Sequence, residues 1–394
     1  MLKGKTVVLG VTGSIAAYKI ANLARMLVKQ HCEVHVLMTQ NATNFINPIT
    51  FETLTKHKCL IDTFDRNFEF SVEHVALAKA ADVVMIAPAS ANVIGKIANG
   101  IADDMLTTTV MACPCKKIVS PAMNHNMFHN PIVQDNIEKL KHYGYEIVEP
   151  AHGMLANGDM GDGRMPDEEL LFEYIVKEIA FEKDMTGKKV LVTAGATVEA
   201  IDPVRFITNH SSGKMGFALA KNAMLRGADV TLVMGKCDSE PPVFVNTIKV
   251  QSAKDMYDAV IERADSMDII VKAAAVADYR PKNVSSEKVK KQDGNMSIEL
   301  ERTDDILKTL GERKNGQFIC GFSMETENML ENSRKKLEKK NCDMIVANNL
   351  KQDGAGFGGN TNIVTLITKD DEVQLEKMTK DEVAEKIFDF ILSR

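Results

Sequence analysis

Two segments of this 394-residue chain run an apolar, β-branched strand into a glycine-rich turn that opens a helix. They are Thr6-Val7-Val8-Leu9-Gly10-Val11-Thr12-Gly13-Ser14-Ile15-Ala16-Ala17 and Lys189-Val190-Leu191-Val192-Thr193-Ala194-Gly195-Ala196-Thr197. Glycine permits the tight turn and the close approach of a ligand, and the free N–H groups at the start of a helix attract an anion. The chemistry to expect is therefore the holding of two phosphorylated ligands. The first turn lacks the third glycine of the dinucleotide fingerprint, and Glu33 follows too early to be a ribose ligand, so a mononucleotide fits better than NAD. At the same sheet edge, Ala87-Pro88-Ala89-Ser90-Ala91-Asn92 ends a buried strand in small hydroxyl and amide residues, donors that flavin mononucleotide (FMN) would use.

Further along, His74 opens an amphipathic helix, a position where a lone His is ordinarily a satisfied structural residue. Ser120-Pro121-Ala122-Met123-Asn124 follows a strand with a Pro-braced loop presenting an amide, which alone reads as conformational. In the second half, 200–216 combines Arg205, Asn209, hydroxyls and glycines ahead of an apolar helix, an anion-binding loop and helix cap. The irregular stretch 280–297 carries Lys282, Lys288, Lys290 and Lys291 and reads on composition as a solvated loop.

These groups must be positioned by α/β elements. Strands at 6–11, 33–38, 82–87, 116–120 and 145–148 alternate with helical patterns near 14–30, 41–56, 72–80, 92–98, 101–112 and 133–143, predicting a doubly wound parallel sheet. Residues 152–166 read as a long glycine-rich loop, followed by a charged helix at 167–182. The alternation repeats with strands near 189–194, 229–233, 269–274, 317–321, 343–347 and 363–367. Two Rossmann-like domains are expected: a flavodoxin-like unit over 1–182 and a nucleotide-binding unit over 187–394, with 183–186 as the joint.

Composition narrows the partners. A net charge of -6 with dispersed Lys and Arg gives no reason to expect nucleic acid or a membrane surface, and no apolar run approaches about 18 residues, so a cytoplasmic protein is expected. Seven scattered cysteines suit reduced thiols, and Cys113-Pro114-Cys115 lacks a second Cys or His pair at zinc-site spacing, so no metal-thiolate site is assigned.

Taken together, Gly13 to Lys19, His74, Ala87 to Asn92, Gly100-Ile101-Ala102-Asp103-Asp104, Pro121 to Asn124 and Gly161-Asp162-Gly163-Arg164-Met165 resemble the flavin-dependent cysteine decarboxylases, and among them the 4'-phosphopantothenoylcysteine decarboxylases. The resemblance covers 1–180. It implies FMN held by Gly13, Ser14, Ile15, Thr39, Ser90, Asn92, Ala122 and Met123, with His74 as active-site base and Asn124 on the substrate carboxylate. Asn157 stands where that family places the cysteine that donates the last proton. An amide is no acid at neutral pH, whereas a thiol titrates near about 8.5, so the closing reduction is where this chain would stall.

The second half, over about 187–392, is similar to the CTP-using bacterial 4'-phosphopantothenate-cysteine ligases. The similarity rests on Ala200 to Gly216, Lys272 to Tyr279, Glu287 to Lys291, Gly321 to Thr326 and Asp343 to Asn348. It implies that Lys272, Ala273, Ala274, Asp278 and Phe322 hold the cytidine nucleotide, and that Lys288, Lys336 and Lys340 meet the phosphates. Asp304, Asp305 and Ile306 are expected nearby, although the family's Asn-Pro-Asp-Ile has become Thr303-Asp304-Asp305-Ile306. Asn209 would orient the acyl-cytidylate, with Arg205 beside it.

The resemblance to the fused coenzyme A biosynthesis enzymes thus implies two consecutive steps. Cysteine is ligated to 4'-phosphopantothenate with CTP and Mg2+, and the resulting 4'-phosphopantothenoylcysteine is decarboxylated. Flavoprotein trimers and ligase dimers, as a homo-oligomer up to a dodecamer, are implied with them. Two rival readings are a decarboxylase for peptide C-terminal cysteines fused to an unrelated nucleotide domain, and a flavin-binding regulatory subunit that has lost turnover.

Overall fold

Uninterrupted apolar runs become the inner strands of two parallel sheets in the computed structural model, which describes residues 2–63, 73–156, 158–290, 296–325, 328–349 and 359–394. The chain divides into two units, Met1–Phe181 and Glu182–Arg394. In the first, β1 (Thr6–Val11), β2 (Glu33–Met38), β3 (Val83–Ala89), β4 (Lys116–Pro121) and β5 (Glu146–Ile147) form a sheet in the order β2-β1-β3-β4-β5, parallel throughout. This is the flavodoxin-like order, whose switch point lies between β1 and β3. Every residue of β3 is buried, so its alternation is lost and it reads as one apolar run. The β1 and β3 ends are tied together by Thr12, whose hydroxyl donates to the Pro88 carbonyl at 2.7 Å and accepts from Ser90 N–H at 2.9 Å.

Two expectations need correction here. The helix expected over 14–30 is a 3-10 turn at Ile15–Lys19 that passes into an α-helix at Ile20–Lys29. The glycine-rich stretch 152–166, expected as a loop, folds back on itself as an antiparallel hairpin of Ala151–Met154 and Met160–Arg164. Its backbone approach is close enough to explain a glycine: Gly163 sits at φ +112°, and a Cβ there would meet the Met123 carbonyl at 2.3 Å. Met123 N–H in turn donates to the Gly163 carbonyl at 3.0 Å, seating the hairpin on the loop after β4.

In the second unit the sheet contains β6 (Lys189–Ala194), β7 (Asp229–Met234), β8 (Asn246–Lys249), β9 (Ile269–Lys272), β10 (Phe318–Glu325), β11 (Met344–Asn349), β12 (Val364–Ile367) and β13 (Glu372–Gln374). The order is β8-β7-β6-β9-β10-β11-β12-β13, with β8 through β11 parallel and the last two strands antiparallel. Leu191, Val233, Ile270, Ile319 and Ile345 carry one core from strand to strand.

Residues 183–186, expected as a joint, belong to this second unit. Met185 is fully buried and its N–H donates to the Arg226 carbonyl. The Arg226 side chain, only 7% exposed, donates to Asp184 at 2.9 Å and to Asp389 at 2.8 Å, which ties the entering chain to the C-terminal helix Lys380–Leu392. Arg226→Met leaves two carboxylates that can rehydrate at their half-exposed positions, so the expected cost is about 2 kcal/mol rather than that of a stranded buried charge. Thermal unfolding of this unit should fall by roughly 4–8 °C by calorimetry. An unchanged transition would show that the network contributes nothing net.

Candidate functional site

The carboxyl edge of the first sheet carries a cavity of about 480 Å3. Ser14 and Ile15 line it from the turn after β1, Ala122, Met123 and Asn124 from the loop after β4, and Met154 from the hairpin. Ile15 and Met154 expose more than half of their surface there, so the walls are largely apolar with a few polar groups among them. Such walls suit a flat aromatic ring system, and the turn at Gly13–Ile15 suits its phosphate. That combination fits FMN. The Ser14 hydroxyl accepts from Ala16 N–H at 3.4 Å and keeps its own proton free to donate.

Asn124 is held by its own backbone. As the N-cap of the helix His125–Phe128, its Oδ1 accepts from Asn126 N–H at 2.9 Å. The capping bond fixes which end of the amide is which. The Nδ2 protons are left to donate, which is what a substrate carboxylate requires.

Other expected FMN ligands sit differently. The N–H groups of Ala122 and Met123 are already given to the Ala89 and Gly163 carbonyls, each at 3.0 Å, so these residues offer side chains and carbonyls to the cavity. Thr39 is buried and caps the turn Gln40–Asn44, Ser90 caps the helix Ala91–Ala98, and Asn92 is exposed on that helix; none of the three lines the cavity. His74, half-buried on the helix Glu73–Ala80, does not line it either. Asn157 lies outside the described residues. Thr12, which joins the ends of β1 and β3, was not singled out in the sequence; a hydroxyl directly before the Gly13-Ser14 turn is the signal that could have marked it.

In the second unit a cavity of about 250 Å3 opens at the carboxyl ends of β9, β10 and β11. Lys272, Ala273, Ala274, Asp278, Phe322 and Lys336, expected as nucleotide ligands, all line it. Burial, reinforced by Lys336, pushes the Lys272 ammonium down to about 8, while Asp305 and Asp278 oppose that fall. Lys336 donates to the Phe322 carbonyl at 2.8 Å, which brings those two expected ligands together. Four lysines and one carboxylate around so small a space make an anion site. The two further lysines are Lys214 and Lys380.

Lys380 was missed in the sequence because it lies on the last helix, far from every motif. It is 9% exposed, and burial together with Lys214 holds its ammonium below the ordinary range. A clue existed. Lys380 is the first residue of a helix whose N-cap Thr379 forms a capping box, where the helix dipole disfavours a cation.

The remaining nucleotide candidates do not line the cavity. Lys340 is ion-paired with Asp305, which also N-caps the helix Ile306–Arg313, so Asp305, Ile306 and Lys340 brace that helix. Asp304 precedes that cap. Lys336 and Lys340 share a helical face, yet only the first reaches the cavity. Lys288 is exposed on its loop. Asn209 donates to the Ala275 carbonyl at 3.2 Å, next to the cavity wall.

Arg205 is engaged elsewhere. Its Nε and Nη2 donate to the buried Asp202 carboxylate at 3.0 and 2.6 Å, and Nη2 also reaches the Val289 carbonyl at 3.0 Å. Val289 N–H returns a bond to Asp202 at 3.2 Å. The Arg205 guanidinium and three backbone N–H groups hold the Asp202 carboxyl well below the usual carboxylate range. Arg205 and Asp202 therefore clasp the loop that carries Lys288.

Residues 1–180 match the family model described as "Flavoprotein", and residues 185–394 match "DNA/pantothenate metabolism flavoprotein C-terminal domain". The chain is 48% identical to the coenzyme A biosynthesis bifunctional protein CoaBC of Bacillus subtilis, over 94% of this chain and 92% of that protein. It is 43% identical to the same-named protein of Vibrio cholerae, over 99% of this chain and 98% of that one. Among solved structures, the C-terminal domain of a coenzyme A biosynthesis bifunctional protein is 48% identical and covers 52% of this chain and 95% of its own, with a TM-score of 0.46. Both halves, in this order and at this identity, place the chain in the family of coenzyme A biosynthesis bifunctional proteins.

Proposed function

We propose that the second unit ligates cysteine to 4'-phosphopantothenate with CTP, and that the first decarboxylates the product, 4'-phosphopantothenoylcysteine, with FMN. The observation that carries this reading is that each unit has a cavity at the carboxyl edge of its own sheet, the first apolar around Asn124 and the second ringed by lysines.

Ligation needs an activated carboxylate, because a carboxylate oxygen is a poor leaving group from an acyl carbon. The 4'-phosphopantothenate carboxylate attacks the α-phosphorus of CTP and expels pyrophosphate; the cysteine amine then attacks the acyl carbon, forms the amide and releases CMP. Lys272 and Lys336 stabilise the triphosphate charge as it redistributes, with Lys288 approaching from its clasped loop. Mg2+ accompanies the nucleotide, and Asp278 is the carboxylate in the cavity wall that suits it. Asn209 orients the acyl-cytidylate.

Decarboxylation leaves an electron pair on carbon that needs somewhere to go. Bound FMN would supply that outlet, as a two-electron acceptor for the cysteine thiol and the electron source for the closing reduction. The chain's own residues hold the substrate and accept a proton: Asn124 Nδ2 donates to the substrate carboxylate, and the His74 imidazole takes the thiol proton. FMN near subunit contacts of a trimer, with dimeric contacts between ligase units, completes the reading; His74, absent from the wall of its own chain's cavity, suits such an arrangement.

The test supplies FMN-loaded protein with 4'-phosphopantothenate, cysteine, CTP and Mg2+, and identifies the products by mass spectrometry. Unconsumed 4'-phosphopantothenate overturns the ligase assignment. With Asn157 in place of an acid, the expected product is the enethiol, lighter than 4'-phosphopantetheine by two hydrogens, and Asn157→Cys should restore the reduced product. Full reduction by the unmodified chain would mean that another group donates the last proton. Substrate without any flavin bleaching would favour a flavin-binding regulatory subunit.

A further inference from the structure

The geometry points to a transition-metal site formed by His125, His129 and Asp162, with His152 paired to the other Asp162 oxygen, which staples the hairpin Ala151–Met154 and Met160–Arg164 to the helix His125–Phe128. Its ligand is a borderline divalent cation, for which Zn2+ is the best match.

The cluster gathers donors from three places in the chain. His125 and His129 are four apart, so one helical turn presents both on the same side. His152 and Asp162 come from the two facing strands of the hairpin. His129 Nε2 lies 2.9 Å from one Asp162 carboxylate oxygen, and His152 Nδ1 lies 2.9 Å from the other. The ligand atoms of His125, His129 and Asp162 all fall within 4.8 Å of one another.

The His129–Asp162 pair already has the spacing an ion demands, and the His125 ligand atom, within 4.8 Å of both, must draw in. With bonds of about 2.0–2.1 Å, two ligand atoms on one Zn2+ stand roughly 2.9–3.4 Å apart between octahedral and tetrahedral angles. His125 Nδ1 accepts from Asp162 N–H at 3.1 Å, so its lone pair faces the Asp162 backbone and an ion bound there must displace that hydrogen bond. Gly161 makes this approach possible, since a Cβ there would come within 2.8 Å of His125 Nδ1. Two imidazoles with a single carboxylate select Zn2+, Co2+ or Ni2+ over Mg2+ and Ca2+, which want oxygen. Exposed His129 and His152 leave the ion a way in.

The consequence reaches the cavity. Asn124 immediately precedes the helix, and Met154, Gly163 and Arg164 of the hairpin line the same cavity, so one bound ion would fix two of its walls together.

The test uses full-length, FMN-loaded protein stripped with a chelator and titrated with Zn2+ by calorimetry, with Co2+ as the optical probe. Retained flavin and an unchanged circular dichroism spectrum certify the fold of each variant. Expected are one Zn2+ bound through this cluster, visible Co2+ bands, and slowed amide exchange in 151–164 when Zn2+ is present. His129→Gln and His152→Gln should each weaken binding by about tenfold or more. A second cluster, Glu33, His35 and His57, supplies the control. Affinity lost in His35→Gln but kept in His129→Gln overturns the proposal, as does the absence of Zn2+ binding or exchange in 151–164 that ignores the metal.

Discussion

Asn124→Asp is expected to lower kcat/KM for decarboxylation by about 100- to 1,000-fold, the range seen when one oriented donor to a reacting anion is lost, while leaving thermal stability and cysteine ligation unchanged. The substitution separates two jobs of one side chain. Asp is as good an N-cap as Asn, so a carboxylate oxygen can still accept from Asn126 N–H and the helix start at His125 is kept. What disappears is the Nδ2 donor, and a negative charge now faces the substrate carboxylate. Asn124→Ala removes donor and cap together and should add about 1 kcal/mol of destabilisation to the same catalytic loss. The measurement is CO2 release from 4'-phosphopantothenoylcysteine, alongside a thermal melt. An Asp variant that decarboxylates at the normal rate would sink the carboxylate-holding role, whatever the melt shows.

That experiment depends on a residue legible in the sequence for its type, but not for its geometry. A Pro-braced loop after a strand announces an exposed amide; only the structure shows that its oxygen is already spent on Asn126. The same limit runs through the fold. Strands β1 and β6 stand where they were expected, because buried parallel strands read as nearly continuous apolar runs bounded by turns, and β2 does so on the alternation of Glu33-Val34-His35-Val36 at the sheet edge. Edge strand β8, Asn246–Lys249, was missed because Asn-Thr-Ile-Lys is mostly polar and half-exposed, and its pairing with β7 depends on backbone bonds that leave no pattern. The hairpin at 151–164 escaped for a related reason. Its glycines suppress periodicity while permitting the close contacts with Met123 and His125 that hold it.

Charge patterns misled in a different way. Lys336 and Lys340 are equivalent by helical spacing, yet one enters the lysine-ringed cavity and the other is taken by Asp305, a residue distant in sequence. Arg205 likewise looked available for a phosphate or carboxylate and is instead committed to Asp202. Spacing identifies which side chains share a face, but it cannot say which counter-ions the tertiary fold delivers to them. Lys214 and Lys380 show the converse, since two cations from opposite ends of the second unit meet only in three dimensions.

Lys272 brings the second large effect: kcat/KM for CTP should fall above pH 8, steepening toward tenfold per unit, and Lys272→Arg should flatten that limb. An ordinary lysine holds its proton to about 10.4. Burial, with Lys336 beside it, brings Lys272 down to about 8, so the free enzyme carries the charge at pH 7 and has lost most of it by pH 9. The direction follows from what the site must bind: phosphate ionisation is complete above about pH 7, so rising pH removes charge from the protein alone and weakens attraction. A profile of kcat/KM reports the free enzyme, whereas bound triphosphate stabilises the ammonium and should shift the kcat limb to higher pH. Lys272→Met, which deletes the charge at every pH, should lose about 100-fold or more in kcat/KM at pH 7. A wild-type profile that stays flat from pH 7 to 9.5 would overturn the lowered Lys272 titration as a control on CTP binding, and an Arg variant that keeps the alkaline fall would pass the pH dependence to another group lining the cavity.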